Sequence, residues 1–267
     1  KPLHVQYWIW VKQLVTFNFG DSYKDHRPVI RKIAEKLPIT LALNLISIFL
    51  AYVIAIPLGV SSAIKRNSIS DRLVTFILFA LYSLPSFWVA TLLIRYLGGG
   101  EFLNLFPIVG IISDEAVRWS FWRKVGDVAW HFVLPVTCYT YGSFAYLSRL
   151  MRAEMLEVLR QDYIRTARAK GLTERLVIFK HALRNSLIPI LTIMANLLPA
   201  LFGGSVIIES IFTIPGMGNL GFEAILTKDY PVIMAITAIS ALLTLVGLLL
   251  SDILYVLVDP RITFEKR

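Results

Sequence analysis

The chain has 267 residues, of which 56% are hydrophobic and 17% charged, with a net charge of +9 and a mean hydropathy of +0.65. Soluble globular domains run at about 45–50% apolar and about 25% charged, so this composition excludes a disordered chain and argues for a membrane protein over a soluble enzyme. One cysteine, Cys138, and four scattered histidines, His4, His26, His131 and His181, exclude an intrachain disulfide and a thiolate metal cluster and offer no metal-site spacing.

Residues 1–36 read as an amphipathic flank outside the membrane, carrying seven basic residues from Lys1 to Lys36. The chain opens on Lys1-Pro2 with no initiator Met and no short apolar leader run. The expectation is a chain that lacks its natural N-terminus, with a further span upstream. A membrane helix needs about 20 apolar residues. Four runs carry no charge at all: Leu37–Ile64, Leu73–Ile94, Asn185–Ile208 and Tyr230–Ser251. A fifth, Val128–Ser148, holds His131 but no Asp, Glu, Lys or Arg. Five such runs are improbable as buried helices of a soluble protein, and a β-barrel would show alternating segments of about 10 residues instead. The expected fold is therefore an all-α integral membrane protein with five spans. Pro38, Pro57, Pro85, Pro135, Pro189 and Pro199 fall within the spans, where proline removes a hydrogen bond and kinks a helix. Trp8, Trp10, Trp119, Trp122 and Trp130 lie outside or at the edges of the spans and read as interfacial anchors.

Charge sets the orientation. The loops after spans one, three and five hold fifteen basic residues, and those after spans two and four hold five. The first set is placed in the cytoplasm. The N-terminal flank adds seven to the other side and weakens the contrast. Residues 259–267 form a cytoplasmic tail, and residues 37–258 a single transmembrane domain.

The loop 149–184 is the most informative stretch. It holds nine basic and four acidic residues, so it is wet. Met151, Met155, Leu159, Ile164 and Ala167 recur at helical spacing, Gly171 interrupts, and Leu172, Leu176, Phe179 and Leu183 resume. This predicts a helix, a glycine break and a second helix with Thr173 as its cap. Small residues at Ala167, Ala169 and Gly171 keep the tip slim enough for a groove in another protein. Periodicity and charge leave two readings open: partner docking, or a basic connector lying against acidic lipid headgroups. Further along, Glu209 ends span four beside Gly203, Gly204 and Ser205. A carboxylate there either meets substrate on its pathway or is an ordinary interfacial acid.

Several segments resemble one family. Arg165-Thr166-Ala167, then Gly171, then His181-Ala182-Leu183-Arg184 resembles the cytoplasmic EAA motif of ABC-importer permeases: Glu-Ala-Ala, three residues, Gly, nine residues, Ile-x-Leu-Pro. Ala167, Gly171 and Leu183 match. Arg165, Thr166, His181 and Arg184 depart from the general pattern and resemble the form of the dipeptide/oligopeptide/nickel branch. Phe19-Gly20-Asp21-Ser22, the run SVIIESIFTIPGMG from Ser205 to Gly218, and the ending Asp259-Pro260-Arg261-Ile262 resemble the same branch. FPIVGIISDE and WHFVLPVT look closest to its microcin C and peptide importers. The resemblance implies a type I importer (MetI-like) transmembrane domain whose family first span is missing here. It implies a permease in a bacterial inner membrane, forming half of a peptide pathway. Its implied partners are a second homologous permease, two ATP-binding subunits, an extracytoplasmic peptide-binding protein and membrane lipid, but no nucleic acid. It implies contact with the ATPase through Arg165, Thr166, Ala167, Arg168, Ala169, Gly171 and Leu172.

The chain contains no Gly-x4-Gly-Lys-Ser/Thr loop, so ATP belongs to a partner and no cofactor is expected on this chain. Competing functions fare worse. An ion-driven secondary transporter places ionisable residues at mid-membrane, and the span centres carry none. An intramembrane enzyme would need a catalytic constellation, and neither HExxH nor GxSxG occurs. A nucleic-acid binder would explain the pI of 9.7, but topology already does so and no such motif accompanies it. Nickel stays open beside peptides as cargo.

Overall fold

A backbone in lipid must satisfy its own N–H and C=O groups, so long apolar runs become helices. The computed structural model describes residues 2–98, 102–195 and 197–258. The tail 259–267, with its Asp-Pro-Arg-Ile motif, lies outside the described residues. In chain order the helices are α1 (Leu3–Val15), α2 (Val29–Ile64), α3 (Ile69–Ser83) and α4 (Ser86–Leu93), which continues as a π-turn Ile94–Gly98. A 3-10 turn, Asp114–Arg118, precedes α5 (Phe121–Val158), α6 (Asp162–Ala169) and α7 (Glu174–Leu176). A π-helical stretch Val177–Ala182 leads into α8 (Leu183–Ser186), α9 (Ile188–Ala195), α10 (Leu197–Gly203) and α11 (Val206–Ile211). The last two are α12 (Met217–Leu226) and α13 (Tyr230–Val258). Among the described residues the sole β feature is an isolated bridge between Asp21 and Pro28.

The uncharged runs map onto these helices unevenly. By length and composition, α2 and residues Tyr230–Leu250 of α13 can each cross a membrane. The second run is α3 plus α4, bent by 98°. Leu84 sits between them in extended conformation, because the residue before Pro85 is pushed out of the helical region. The third run lies inside the 38-residue α5, which carries Pro135 without ending. The fourth is divided among short helices from α8 to α11. Prolines thus act by context. Pro38 and Pro57 lie within the continuous α2, whereas Pro85 ends one helix and begins the next.

The chain divides into two compact units. The first comprises Lys1–Leu45, Ala90–Pro135 and Leu198–Gly247. Its core gathers Val29, Ile33, Phe202, Met217, Leu220 and Val232. The Phe19-Gly20-Asp21-Ser22 segment folds back through Ser22 N–H to Arg27 O and Val29 N–H to Gly20 O, each 3.0 Å. That turn presents the fully buried Ser22 hydroxyl to the buried Asp229, which also accepts from Tyr23 N–H at 3.0 Å. Lys32 donates to Ser22 Oγ at 3.0 Å and pairs with Asp25 at 3.0 Å. The motif therefore pins the N-terminal flank to the turn between α12 and α13.

The second unit comprises Ile46–Val89, Val136–Leu197 and Leu248–Arg267. Val60, Met151, Met155, Ile164, Val177 and Ile190 form its core. Gly59 lets α2 approach α5 closely: a Cβ there would lie 2.6 Å from Met151 Cβ and 2.7 Å from Ser148 O. Buried Asp71 receives Arg152 Nε and an NH2 group at 2.9 and 2.8 Å, together with Asn67 N–H at 3.0 Å and the Ser62 hydroxyl. This clamp ties the α2–α3 turn to α5.

Candidate functional site

The predicted coupling segment begins as the last turns of α5 and continues through α6 and α7. Its two faces differ. Ile164 and Ala167 point into the core with Met151, Met155, Val177 and Ala182. Arg165, Thr166, Arg168, Ala169, Gly171 and Leu172 are exposed. Ala167 therefore anchors the segment from beneath, and the other six form its outer surface. Gly171 has φ +78°, and nothing lies within 4 Å of the place a Cβ would take. The break after α6 thus needs glycine's left-handed freedom while leaving open space outside.

Several bonds stiffen the surface. Thr166 Oγ1 donates to Asp162 O at 2.9 Å, one turn back. Arg165 lies 3.4 Å from Asp162. Arg168 reaches across the break to Glu174 with contacts of 3.1 and 2.6 Å. The Arg168 guanidinium holds the Glu174 carboxyl below its usual range. Thr173 takes the cap position of α7 with extended dihedrals but makes no side-chain cap bond.

The second half of the periodicity departs from expectation. Leu172, Leu176 and Phe179 are exposed, and Val177, Ile178 and Ala182 are buried in their place. Leu172 and Leu176 precede the π-helical stretch Val177–Ala182, and the three buried residues all lie on it. The apolar side chains left outside widen the exposed surface around Gly171.

The second candidate cluster lies in the other unit. Gly204 has φ +64°, and Ser205 caps α11 by accepting from Ile208 N–H at 3.4 Å. Gly203 is exposed. Glu209 is wholly buried, with Asn219 N–H donating to Oε2 at 2.8 Å and Thr40 Oγ1 lying 3.4 Å from Oε1. Thr40 in turn accepts from Met217 N–H at 2.8 Å. Asn219 donates to Ile214 O at 2.8 Å and accepts from Ser210 Oγ at 2.7 Å. A Cβ on Gly204 or Gly216 would strike the Glu209 carboxyl, and one on Gly218 would strike the Ser205–Val206 backbone. The structure brings Gly204, Ser205 and Glu209 together as a fastener for the α11–α12 turn, with the carboxyl turned into protein.

Sequence reasoning missed Asn219, Thr40 and the Asp71–Arg152 clamp. One local signal existed for the last. Ser68 and Asp71 have the spacing of a helix-capping pair, and Asp71 N–H does donate to Ser68 Oγ at 3.2 Å.

Among the described residues, apolar helices long enough to cross a membrane, others broken or bent, and a basic exposed helical turn define a helical membrane protein. Residues 55–264 match the family described as the binding-protein-dependent transport system inner membrane component. The chain belongs to that family. The oligopeptide transport system permease protein AppB of Bacillus subtilis is 44% identical over 264 residues, 98% of this chain and 81% of the relative. The dipeptide transport system permease protein DppB of Lactococcus lactis subsp. cremoris is 41% identical, covering 98% of this chain and 81% of its own length. A peptidoglycan transport system permease protein, YejB, of Agrobacterium fabrum is 38% identical, covering 95% and 70%. In fold, the chain is similar to a solved inward-facing MetNI methionine ABC transporter. The TM-score is 0.62 at 18% identity, covering 86% of this chain and 97% of that one. The chain is thus an ABC-importer permease subunit of the inner membrane with a MetI-like fold. It is a transport component rather than an enzyme, and in such importers ATP is used by a partner ATPase.

Proposed function

We propose that this permease forms half of the pathway of a peptide importer and is driven by ATPase closure against residues 149–184. The observation that carries the coupling role is the two-faced α6–Gly171–α7 segment. Its underside is locked into the core of its unit by Ile164 and Ala167, and its outer side is exposed. A rigidly rooted protrusion transmits a push from a partner, whereas a loose loop would absorb it. Arg165, Thr166, Arg168, Ala169, Gly171 and Leu172 make the contact, and Ala167 holds it in place. A second homologous permease, two ATP-binding subunits and an extracytoplasmic peptide-binding protein complete the machine. Peptides are favoured as cargo because relatives named for oligopeptide and dipeptide transport cover nearly the whole chain.

Gly203, Gly204 and Ser205 border the pathway as small residues. Glu209 acts by holding the turn beside them, and its burial supports that role over direct substrate contact. The test is uptake by the complete importer in proteoliposomes. Labelled peptide should accumulate only with ATP and the binding protein, and should survive an ionophore. Uptake that collapses with the ionophore and ignores ATP would make the chain a secondary transporter. Uptake of nickel in place of peptide would overturn the cargo.

A further inference from the structure

A groove of about 530 Å³ runs between α3 and α5 in the second unit. Its walls include Asn67, Arg72, Thr75, Phe76, Phe79 and Arg149. On α3, residues 72, 75, 76 and 79 share one face, because they are spaced by three, four and seven. At 1.5 Å per residue, Phe79 lies about 10 Å further along the helix than Arg72. Arg72 therefore stands at the end nearer the α2–α3 turn, and two exposed phenylalanines follow along the apolar span. Arg149 enters from α5 and leans toward α3, its guanidinium carbon 6.0 Å from the Tyr82 ring centre. Arg152, also on the rim, is already held by Asp71. Among the described residues no carboxylate pairs with Arg72 or Arg149, although both face the same opening. Thr75 and Arg149 also line a second cavity of about 280 Å³, together with Leu58, Gly59 and Leu78.

Two arginines without a carboxylate partner above an apolar trough match a phosphate joined to hydrocarbon. The guanidinium fork suits phosphate oxygens, and basic pockets between membrane helices on the cytoplasmic side take anionic headgroups. We propose that this groove holds an anionic phospholipid of the cytoplasmic leaflet, its phosphate at Arg72, with Arg149 lining the same opening, and an acyl chain along Phe76 and Phe79. The side of the membrane follows from the excess of basic residues in the loops after spans one and three. The proposal does not depend on the cargo or on the coupling surface. A bound lipid there would wedge α3 against α5 next to the Asp71–Arg152 clamp, making the stability of the assembled importer depend on the lipid.

The test uses the complete importer in nanodiscs of phosphatidylglycerol or phosphatidylcholine, with retained lipid counted by native mass spectrometry. The parent importer should retain phosphatidylglycerol in preference to phosphatidylcholine. The double variant R72Q/R149Q should lose phosphatidylglycerol affinity roughly 25-fold, about fivefold per arginine. T75W keeps both arginines, fills the trough and should also release the lipid. A charge-matched control, R118Q/K124Q, removes two basic residues outside the groove and outside residues 149–184 and should retain it. The proposal is overturned if R72Q/R149Q or T75W retains lipid as the parent does, or if the control loses as much. Equal retention of phosphatidylcholine, or crosslinking of Phe76 to a partner subunit, overturns it too. Because the readout is lipid retention, failure here is distinguishable from failure of the importer assignment, which is read in transport.

Discussion

Gly216→Ala should destabilise the α11–α12 turn through one identifiable collision. The three heavy atoms nearest to a Cβ at Gly216 all belong to Glu209: Cδ and Oε1 at 2.5 Å and Oε2 at 2.7 Å. Real Cβ contacts are not made at that range, so either the carboxyl moves or the backbone does. Moving the carboxyl breaks the 2.8 Å bond from the part-buried Asn219 N–H and strips a partner from the buried carboxyl, which costs about 1–3 kcal/mol. Moving the backbone is overpacking and costs about the same. Either route gives about 2 kcal/mol. Glu209→Ala alone also destabilises, by roughly 3 kcal/mol, because it orphans the same N–H and leaves a cavity. In that background the carboxyl atoms that the added methyl would strike are gone. Gly216→Ala should then cost less than about 0.5 kcal/mol, giving a coupling of about 1.5–2 kcal/mol between the two changes. The assay is unfolding of the purified importer in mixed micelles, titrated with denaturing detergent for the parent, both single variants and the double. Additive effects within about 0.5 kcal/mol would refute the cradle.

Three further outcomes follow from the packing and charges. Asp71→Ala should cost about 3 kcal/mol, at the low end for breaking a buried pair because Arg152 is 30% exposed; pairing it with Arg152→Ala should recover part of that loss in the same titration. Gly59→Ala should cost about 1–3 kcal/mol by forcing α2 off Met151 and Ser148 O, and Gly59→Leu should abolish stable insertion, read as loss of protease-resistant chain in membranes. Lys32 holds the Asp25 carboxyl at about 2, below its ordinary 3.8. That depressed value means the pair's stabilisation is full above 3.8 and is lost as pH falls through about 2. Asp25→Asn should therefore flatten this part of the acid limb of a stability–pH curve, and an unchanged acid limb would contradict the pairing.

The sequence made the helical membrane class legible because uncharged runs of sufficient length leave few alternatives. It made the break after α6, in the proposed coupling segment, legible because glycine punctuates a clear apolar period, and Gly171 does adopt the left-handed conformation. It did not reveal which prolines would break a helix. Pro57 and Pro135 sit within continuous helices, whereas Pro85 separates α3 from α4 at a 98° bend. Proline only deletes one donor, and the neighbours decide whether the helix continues. Leu172, Leu176, Phe179 and Leu183 carry the helical spacing, yet Val177, Ile178 and Ala182 are the residues packed with Met151 and Met155, a choice made by long-range packing that the spacing alone does not encode. The sequence left Glu209 between a substrate contact and an interfacial acid. Its burial depends on Thr40, 169 residues away in sequence, a contact that no local pattern encodes. The same holds for Asp71 and Arg152, 81 residues apart.

The coupling surface is tested most directly at Gly171. Replacing it with Ala or with Trp imposes the same left-handed strain, roughly 1–2 kcal/mol, but only Trp adds bulk to the open space outside. We would measure co-purification of the ATPase subunit and ATP-dependent peptide uptake for both variants, after confirming equal insertion. The account predicts that Gly171→Ala largely keeps both, while Gly171→Trp loses ATPase association and uptake together. If Gly171→Trp inserts, binds the ATPase and imports peptide as the parent does, Gly171 is only a turn and the ATPase docks elsewhere.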